Sequence, residues 1–220
     1  MHIKHKPEDD VASGDGNKTI EWLTKIIRKD DVFIDCGAHV GFISVPTLLK
    51  ANPKESFMIE PSKYACKTLE ENLITNGIKN YTVINAMVLD KVGEDYYQGG
   101  SVAAHGSFYY GGEPVMTPTI TIDSLVKEHN ITSPIVIKMD IELSEPLAWK
   151  GMKESMHLIK AINMEFMASK LRDIAGVNPM EFFEEIENDG FRIVDYSGHP
   201  FNKHDLFQDD YKWDICIVHV

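Results

Sequence analysis

The stretch that most constrains this chain is Val32-Phe33-Ile34-Asp35-Cys36-Gly37-Ala38-His39-Val40-Gly41-Phe42-Ile43-Ser44. Val32, Phe33 and Ile34 form a continuous apolar run, the pattern of a parallel strand covered on both faces. Gly37 and Gly41 then permit backbone angles and close approaches that a side chain forbids. A strand, a glycine turn and a helix in that order put a ligand site at the carboxyl end of a first strand, where open α/β sheets bind nucleotides.

The spacing narrows the ligand. A dinucleotide pyrophosphate calls for G-x-G-x-x-G at a helix N-terminus. This chain has Gly37-x-x-x-Gly41, with Asp35 just ahead of it. A carboxylate there repels phosphate and suits a ligand carrying an ammonium and a sulfonium, which describes S-adenosylmethionine. Glu60 follows the short apolar strand Phe57-Met58-Ile59. An acid at the end of a second strand is placed to take two ribose hydroxyls. The expected cofactor set is Asp35, Gly37, Ala38, His39, Gly41 and Glu60, with Asp140 beside the pocket. Asn85 and Ala86 end a third strand beside the adenine and act there mainly through backbone.

Asp35-Cys36-Gly37-Ala38-His39-Val40-Gly41, Ile59-Glu60-Pro61-Ser62, Glu71-Asn72-Leu73 and Lys138-Met139-Asp140-Ile141-Glu142 followed by Glu145 resemble the FkbM-type family of S-adenosylmethionine-dependent methyltransferases. The resemblance runs from about Asp30 to about Phe166. The first motif alone indicates only a class I methyltransferase, and the Lys-x-Asp-x-Glu segment narrows it. The resemblance implies O-methylation of a hydroxyl on a sugar, glycan or other natural product. One departure stands out. The family follows Glu142 with a glycine and a small residue, where this chain has Leu143-Ser144 before Glu145-Pro146. The turn after this strand is therefore expected to take a different path, which bears on Glu142 and Glu145 more than on Asp140.

Along the rest of the chain, residues 1–17 read as a mobile polar arm, or a lid that orders over the cofactor, and 18–220 as the methyltransferase domain. Thr19 to Lys29 has helical periodicity. Pro46 moves the start of the next helix toward Ser44. Ser62 caps a helix that stops at Asn76-Gly77, with Asn72 read as a surface or capping amide. Tyr81 to Met87 is the third strand. Gly93 to Gly112 is an irregular excursion carrying His105, Phe108, Tyr109 and Tyr110, either a surface hairpin or a substrate-facing loop. Pro118 to Ile122 is a short strand, with Asp123 as the cap of a helix. Pro134 to Ile141 is the fourth core strand and sets Lys138 and Asp140 on one face; Asp140 is the nearest partner for the lysine. Ile159 to Phe166 is the fifth and carries Glu165. Pro179 to Asn188 is an amphipathic helix with Phe182, Phe183 and Ile186 inward. Phe191 to Tyr196 and Asp214 to Val220 close the sheet as an antiparallel pair, with His199 and His204 solvated between them. The sum is a doubly wound α/β fold with a seven-stranded, mostly parallel sheet.

A chain of 220 residues suffices for one such domain. The formal net charge of −12, without a basic run, weighs against a nucleic-acid substrate. No apolar run nears a membrane span of ~20 residues, and no signal peptide opens the chain. Cys36, Cys66 and Cys216 are far apart, as for reduced thiols in a cytoplasm-like compartment.

The expected chemistry is in-line displacement of a methyl group from the sulfonium by a hydroxyl oxygen, which needs alignment and a base. Asp140 is the first candidate base, with Lys138 as its companion, and Glu165 the second; His105 or His199 could be delivered by loops. Alternatively Asp140 and Glu165, with Glu142, hold magnesium or manganese. The rival functions are a nucleic-acid 2′-O-methyltransferase and a non-catalytic S-adenosylmethionine-binding module.

Overall fold

The computed structural model describes residues 14–98, 114–203 and 213–219. In chain order the elements are α1 (Gly14–Ile26), β1 (Val32–Cys36), α2 (Ser44–Ala51), β2 (Glu55–Ile59), α3 (Lys63–Thr75), β3 (Thr82–Ile84), β4 (Met87–Val88), β5 (Gly93–Gln98) and β6 (Pro114–Ile120). There follow α4 (Ile122–Glu128), β7 (Ile135–Met139), α5 (Glu145–Lys150), a 3-10 turn at Met156–Leu158, β8 (Ile159–Phe166), α6 (Ala168–Asp173), α7 (Pro179–Asn188), β9 (Phe191–Val194) and β10 (Trp213–His219).

Seven strands form the main sheet in the order β3-β2-β1-β7-β8-β10-β9. The first five pair in parallel, and β10 runs antiparallel to both β8 and β9. Strand alternation sorts the core into two layers. Ile34, Ile137 and Ile162 face Leu125, Trp149, Phe182 and Phe183 of α4, α5 and α7. Phe33, Val136 and Ala161 face Trp22, Leu23, Leu48, Leu69 and Leu73 of α1, α2 and α3. Each large apolar side chain buried this way contributes about 1.5–3 kcal/mol of transfer free energy, and strands covered on both faces need no polar alternation. This is the doubly wound arrangement expected of the sequence.

Several elements differ in detail. The first helix starts at Gly14, inside the segment read as an arm, and ends at Ile26. As Pro46 demands, α2 begins at Ser44. Ser62 caps α3 by accepting the Ala65 N–H. The α4 cap is Thr121, not Asp123: Thr121 and Ser124 form a reciprocal capping box. Asp123 instead accepts N–H groups of Glu154 and Ser155 at 3.1 and 2.8 Å, clipping a distant turn to the start of α4.

The larger difference follows β3. The third strand stops at Ile84, and Met87–Val88 leave the main sheet to pair with β6 in a second, three-stranded sheet of order β4-β6-β5. Gly93–Gln98, at the start of the excursion, form β5, which runs antiparallel to β6 with Tyr96 opposite Met116. His105, Phe108, Tyr109, Tyr110 and His204 lie outside the described residues. Among the described residues no helix is long and apolar enough to cross a membrane. The three cysteines are buried free thiols.

Candidate active site

The carboxyl ends of β1, β2, β7 and β8 meet at one edge of the sheet. The turn after β1 is held from below by Ile59, whose carbonyl accepts the N–H groups of Gly37 and Ala38 at 2.9 and 3.2 Å. A Cβ on Gly37 would lie 1.8 Å from the Asp140 carbonyl oxygen, and one on Gly41 would lie 2.7 Å from a Leu69 methyl. Both glycines are therefore demanded by the protein's own packing at this turn, one against the end of β7 and the other against α3.

Asn72 completes the turn from α3. It is buried, and its amide donates to the Val40 carbonyl at 2.8 Å. The reading of Asn72 as a surface or capping amide is corrected here: a buried carbonyl at the turn needs a donor, and α3 supplies one across thirty-two positions of sequence.

Glu60 is held by two backbone donors. One carboxylate oxygen accepts the His39 N–H at 2.9 Å and the other the Ser62 N–H at 2.8 Å. His39 reaches this position through a left-handed backbone, φ 49°. Two backbone donors leave further lone pairs on both oxygens. Burial pushes the Glu60 carboxyl up to about 7, against the opposing pull of those two N–H groups. The Asn85 side chain supports Glu60. Its amide donates to the carbonyls of Glu60 and Pro61 at 3.0 and 2.7 Å, clamping the peptide that carries the acid. Ala86 is buried beside it.

The expected carboxylate at the end of β1 is half of a charged cluster. Asp35 is fully buried; Ser44 donates to one of its oxygens, and the Lys138 ammonium stands 3.4 Å from the other. Lys138 also donates to the Gly37 carbonyl at 3.0 Å and stands 3.6 Å from Asp140. Its nearest acid is thus Asp35 rather than Asp140. The register explains this: Asp35, Lys138 and Asn163 stand abreast across β1, β7 and β8. Burial pulls the lysine pKa down, and Asp35 and Asp140 more than offset it, so Lys138 stays charged. It ties the glycine turn to the end of β7.

After β7 the chain turns through Glu142 and Leu143, both left-handed at φ 53° and 76°. Leu143 adopts an angle that glycine takes freely, held there by its burial in the core. Glu145 secures the turn by accepting the Ile141 N–H at 2.9 Å. Burial pushes its carboxyl up to about 8. An acid whose folded pKa lies above its unfolded one loses native stability as pH rises between the two. The ligand-free protein should therefore melt progressively lower from about pH 5 to pH 8, and Glu145→Gln should flatten that slope in thermal scans. A slope unchanged by the substitution would show that Glu145 does not titrate in this range.

This turn brings Asp140 and Glu142 to Glu165 of β8, and one carboxylate oxygen from each lies within 4.8 Å of the others. Asp140 is partly exposed, and Glu165 is buried. Three convergent carboxylates are hard oxygen donors that could hold Mg²⁺ or Mn²⁺ in preference to zinc. They could equally take a proton from an acceptor hydroxyl. His199 sits in the exposed turn after β9, bonded to Asp195, and is no part of the acid group.

A family model described as the methyltransferase FkbM domain matches residues 35–193. The chain belongs to the FkbM methyltransferase family. Among relatives, the hexuronic acid methyltransferase AglP of Haloferax volcanii is 28% identical over 165 residues, an alignment that spans 74% of this chain and 64% of that protein. Magnesium protoporphyrin IX methyltransferase of Synechocystis PCC 6803, solved with bound SAM, shares the fold with a TM-score of 0.52 at 11% identity, covering 100% of this chain and 87% of that one. SMU.1697c of Streptococcus mutans, solved with SAH, gives 0.52 at 12% identity, covering 99% and 100%. The donor set could hold S-adenosylmethionine: an oriented acid at the end of β2, and a turn whose glycines are filled by protein rather than shaped for a pyrophosphate.

Proposed function

We propose that this methyltransferase acts on a hydroxyl oxygen of a sugar, glycan or related natural product. Bound S-adenosylmethionine supplies an electrophilic methyl group on sulfur. The protein's share is then to align the acceptor with that methyl and to remove the acceptor proton. The observation that carries the reading is the convergence of Asp140, Glu142 and Glu165 at strand ends that flank the glycine turn. In this reading Glu60 takes the ribose hydroxyls, and the backbone of Gly37, Ala38, His39 and Gly41 meets the donor, with Asp35 beneath it. Asn85 and Ala86 border the adenine, and Asp140 accepts the proton. Lys138 holds Asp140 in place, and Glu165 is the alternative base.

Two further facts support a sugar acceptor over a nucleic acid. The net charge of −12 offers no general phosphate-binding field, and the relative AglP is named for a hexuronic acid. A uronic acid presents a carboxylate as well as hydroxyls, but three acids at the site would repel it. The test is methyl transfer to neutral sugars, uronic acids and single-stranded RNA, with and without Mg²⁺ or Mn²⁺. An alkali-stable methyl ether on a sugar is expected. An alkali-labile ester would move the reaction to the carboxylate, and transfer to RNA alone would overturn the reading.

Glu60→Ala should weaken binding of S-adenosylhomocysteine at least tenfold with the fold intact. Hydrogen bonds to a charged carboxylate are worth about 1.5–3 kcal/mol each. Calorimetric titration checks it, and an unchanged dissociation constant would remove Glu60 from the cofactor set.

A further inference from the structure

The small second sheet has so far carried no function. Its inner face bears Tyr97, which pairs in register with Val115. The Tyr97 ring packs with Met87 of β4, with Leu89 just after it, and with Leu147 of α5. The residue is only 9% exposed. A buried tyrosine hydroxyl normally finds a hydrogen-bond partner, yet this one has none among the described residues. Its oxygen is not among the sealed, unpartnered polar atoms of the described residues.

The surroundings say which ligand. Met87 follows Asn85 and Ala86 at the end of β3, and Leu147 follows the Glu142–Glu145 turn, so the cluster around Tyr97 joins the segments that leave these two strand ends. Burial pushes the Tyr97 phenol pKa up, and the carboxylates of Glu60 and Glu142 push further in the same direction. A thioether, two leucines and an aromatic ring suit the flat apolar faces of a purine. An acceptor sugar must instead reach the acids at Asp140.

We infer that Tyr97 walls the adenosine end of the cofactor, its hydroxyl hydrogen-bonding the nucleoside, so that the β4–β6 sheet is part of the binding site. This rests on the reading in which Glu60 takes the ribose. Without ligand the hydroxyl is a polar group kept in an apolar setting for a partner that arrives later.

The experiment is calorimetric titration of Tyr97→Phe with S-adenosylhomocysteine and with 5′-methylthioadenosine, alongside Glu60→Ala and thermal melting of each ligand-free variant. Tyr97→Phe should bind both probes about two- to tenfold more weakly, the range for one neutral hydrogen bond. Its ligand-free melting temperature should hold or rise. Unchanged affinity for both probes overturns the inference, and so does a loss confined to S-adenosylhomocysteine, which would put Tyr97 at the methionine end. A lowered ligand-free melting temperature would show that the hydroxyl serves the fold and overturns it too. Unchanged affinity in Glu60→Ala, with Tyr97→Phe weakened, would strike the ribose assignment alone.

Discussion

Asp140→Asn should slow single-turnover methyl transfer by about 100-fold or more, the usual contribution of a general base. Asn has nearly the same shape, so it packs at the end of β7 as the parent does, but it cannot take a proton. The substitution should leave the frame standing. Lys138 keeps the Asp35 carboxylate and the Gly37 carbonyl, and the Asp140 backbone N–H still donates to Cys36 at 3.0 Å. Affinity for S-adenosylhomocysteine should change far less than the rate, because Glu60 and the glycine turn are untouched. Excess Mn²⁺ should restore part of the rate only if the three acids act through a metal ion. Measuring transfer and affinity together decides the matter. A mutant that transfers methyl at the parent rate would make Asp140 structural and Glu165 the leading base.

Gly37→Ala should have the largest effect on folding. The added methyl would sit 1.8 Å from the Asp140 carbonyl oxygen and 2.9 Å from its carbonyl carbon. Backbone cannot swing aside as a flexible side chain can, and here both partners are anchored: Gly37 donates to Ile59, and Asp140 donates to Cys36. The residue also holds φ at +81°, an angle costing a side-chain-bearing residue about 1–2 kcal/mol by itself. A destabilisation beyond about 4 kcal/mol, or no soluble protein, is the expected result. Gly77→Ala is the control. Its φ is similar, at +71°, but nothing lies within 4 Å of the added methyl, so it should cost only the backbone strain. Denaturant unfolding of the two variants measures the difference. Equal losses would show that the approach of the first turn to β7 is not tight.

The local grammar is legible in the residues alone. Apolar runs at Val32–Ile34, Phe57–Ile59 and Ile135–Ile137, bounded by turn residues, read as strands covered on both faces, and the helices between them follow from caps and spacing. Strand-end residues are equally legible, because a residue just past such a run must lie at the sheet's carboxyl edge. That is why Glu60, Asp140 and Glu165 were nameable, and why Asp140, Glu142 and Glu165 could be grouped as possible metal ligands from their strand positions.

Which groups touch depends on pairing between distant segments. The partner of Lys138 depends on register between β1 and β7, which no local pattern encodes, and register makes Asp35 the nearer acid. Asn72 looked like a surface amide, because its helix alone cannot reveal a carbonyl of the glycine turn awaiting a donor. Leu143 shows the same limit in the other direction: its left-handed backbone contradicts local preference, and burial in the core outweighs that preference. The second sheet was invisible for a related reason. A two-residue strand has no periodicity to read, and it exists only because β6 returns to pair with it, which is how Tyr97 comes to stand at the cofactor side. Composition and pattern specify what each segment can become; pairing across long sequence separations specifies which buried charges and hydroxyls end up within reach of one another.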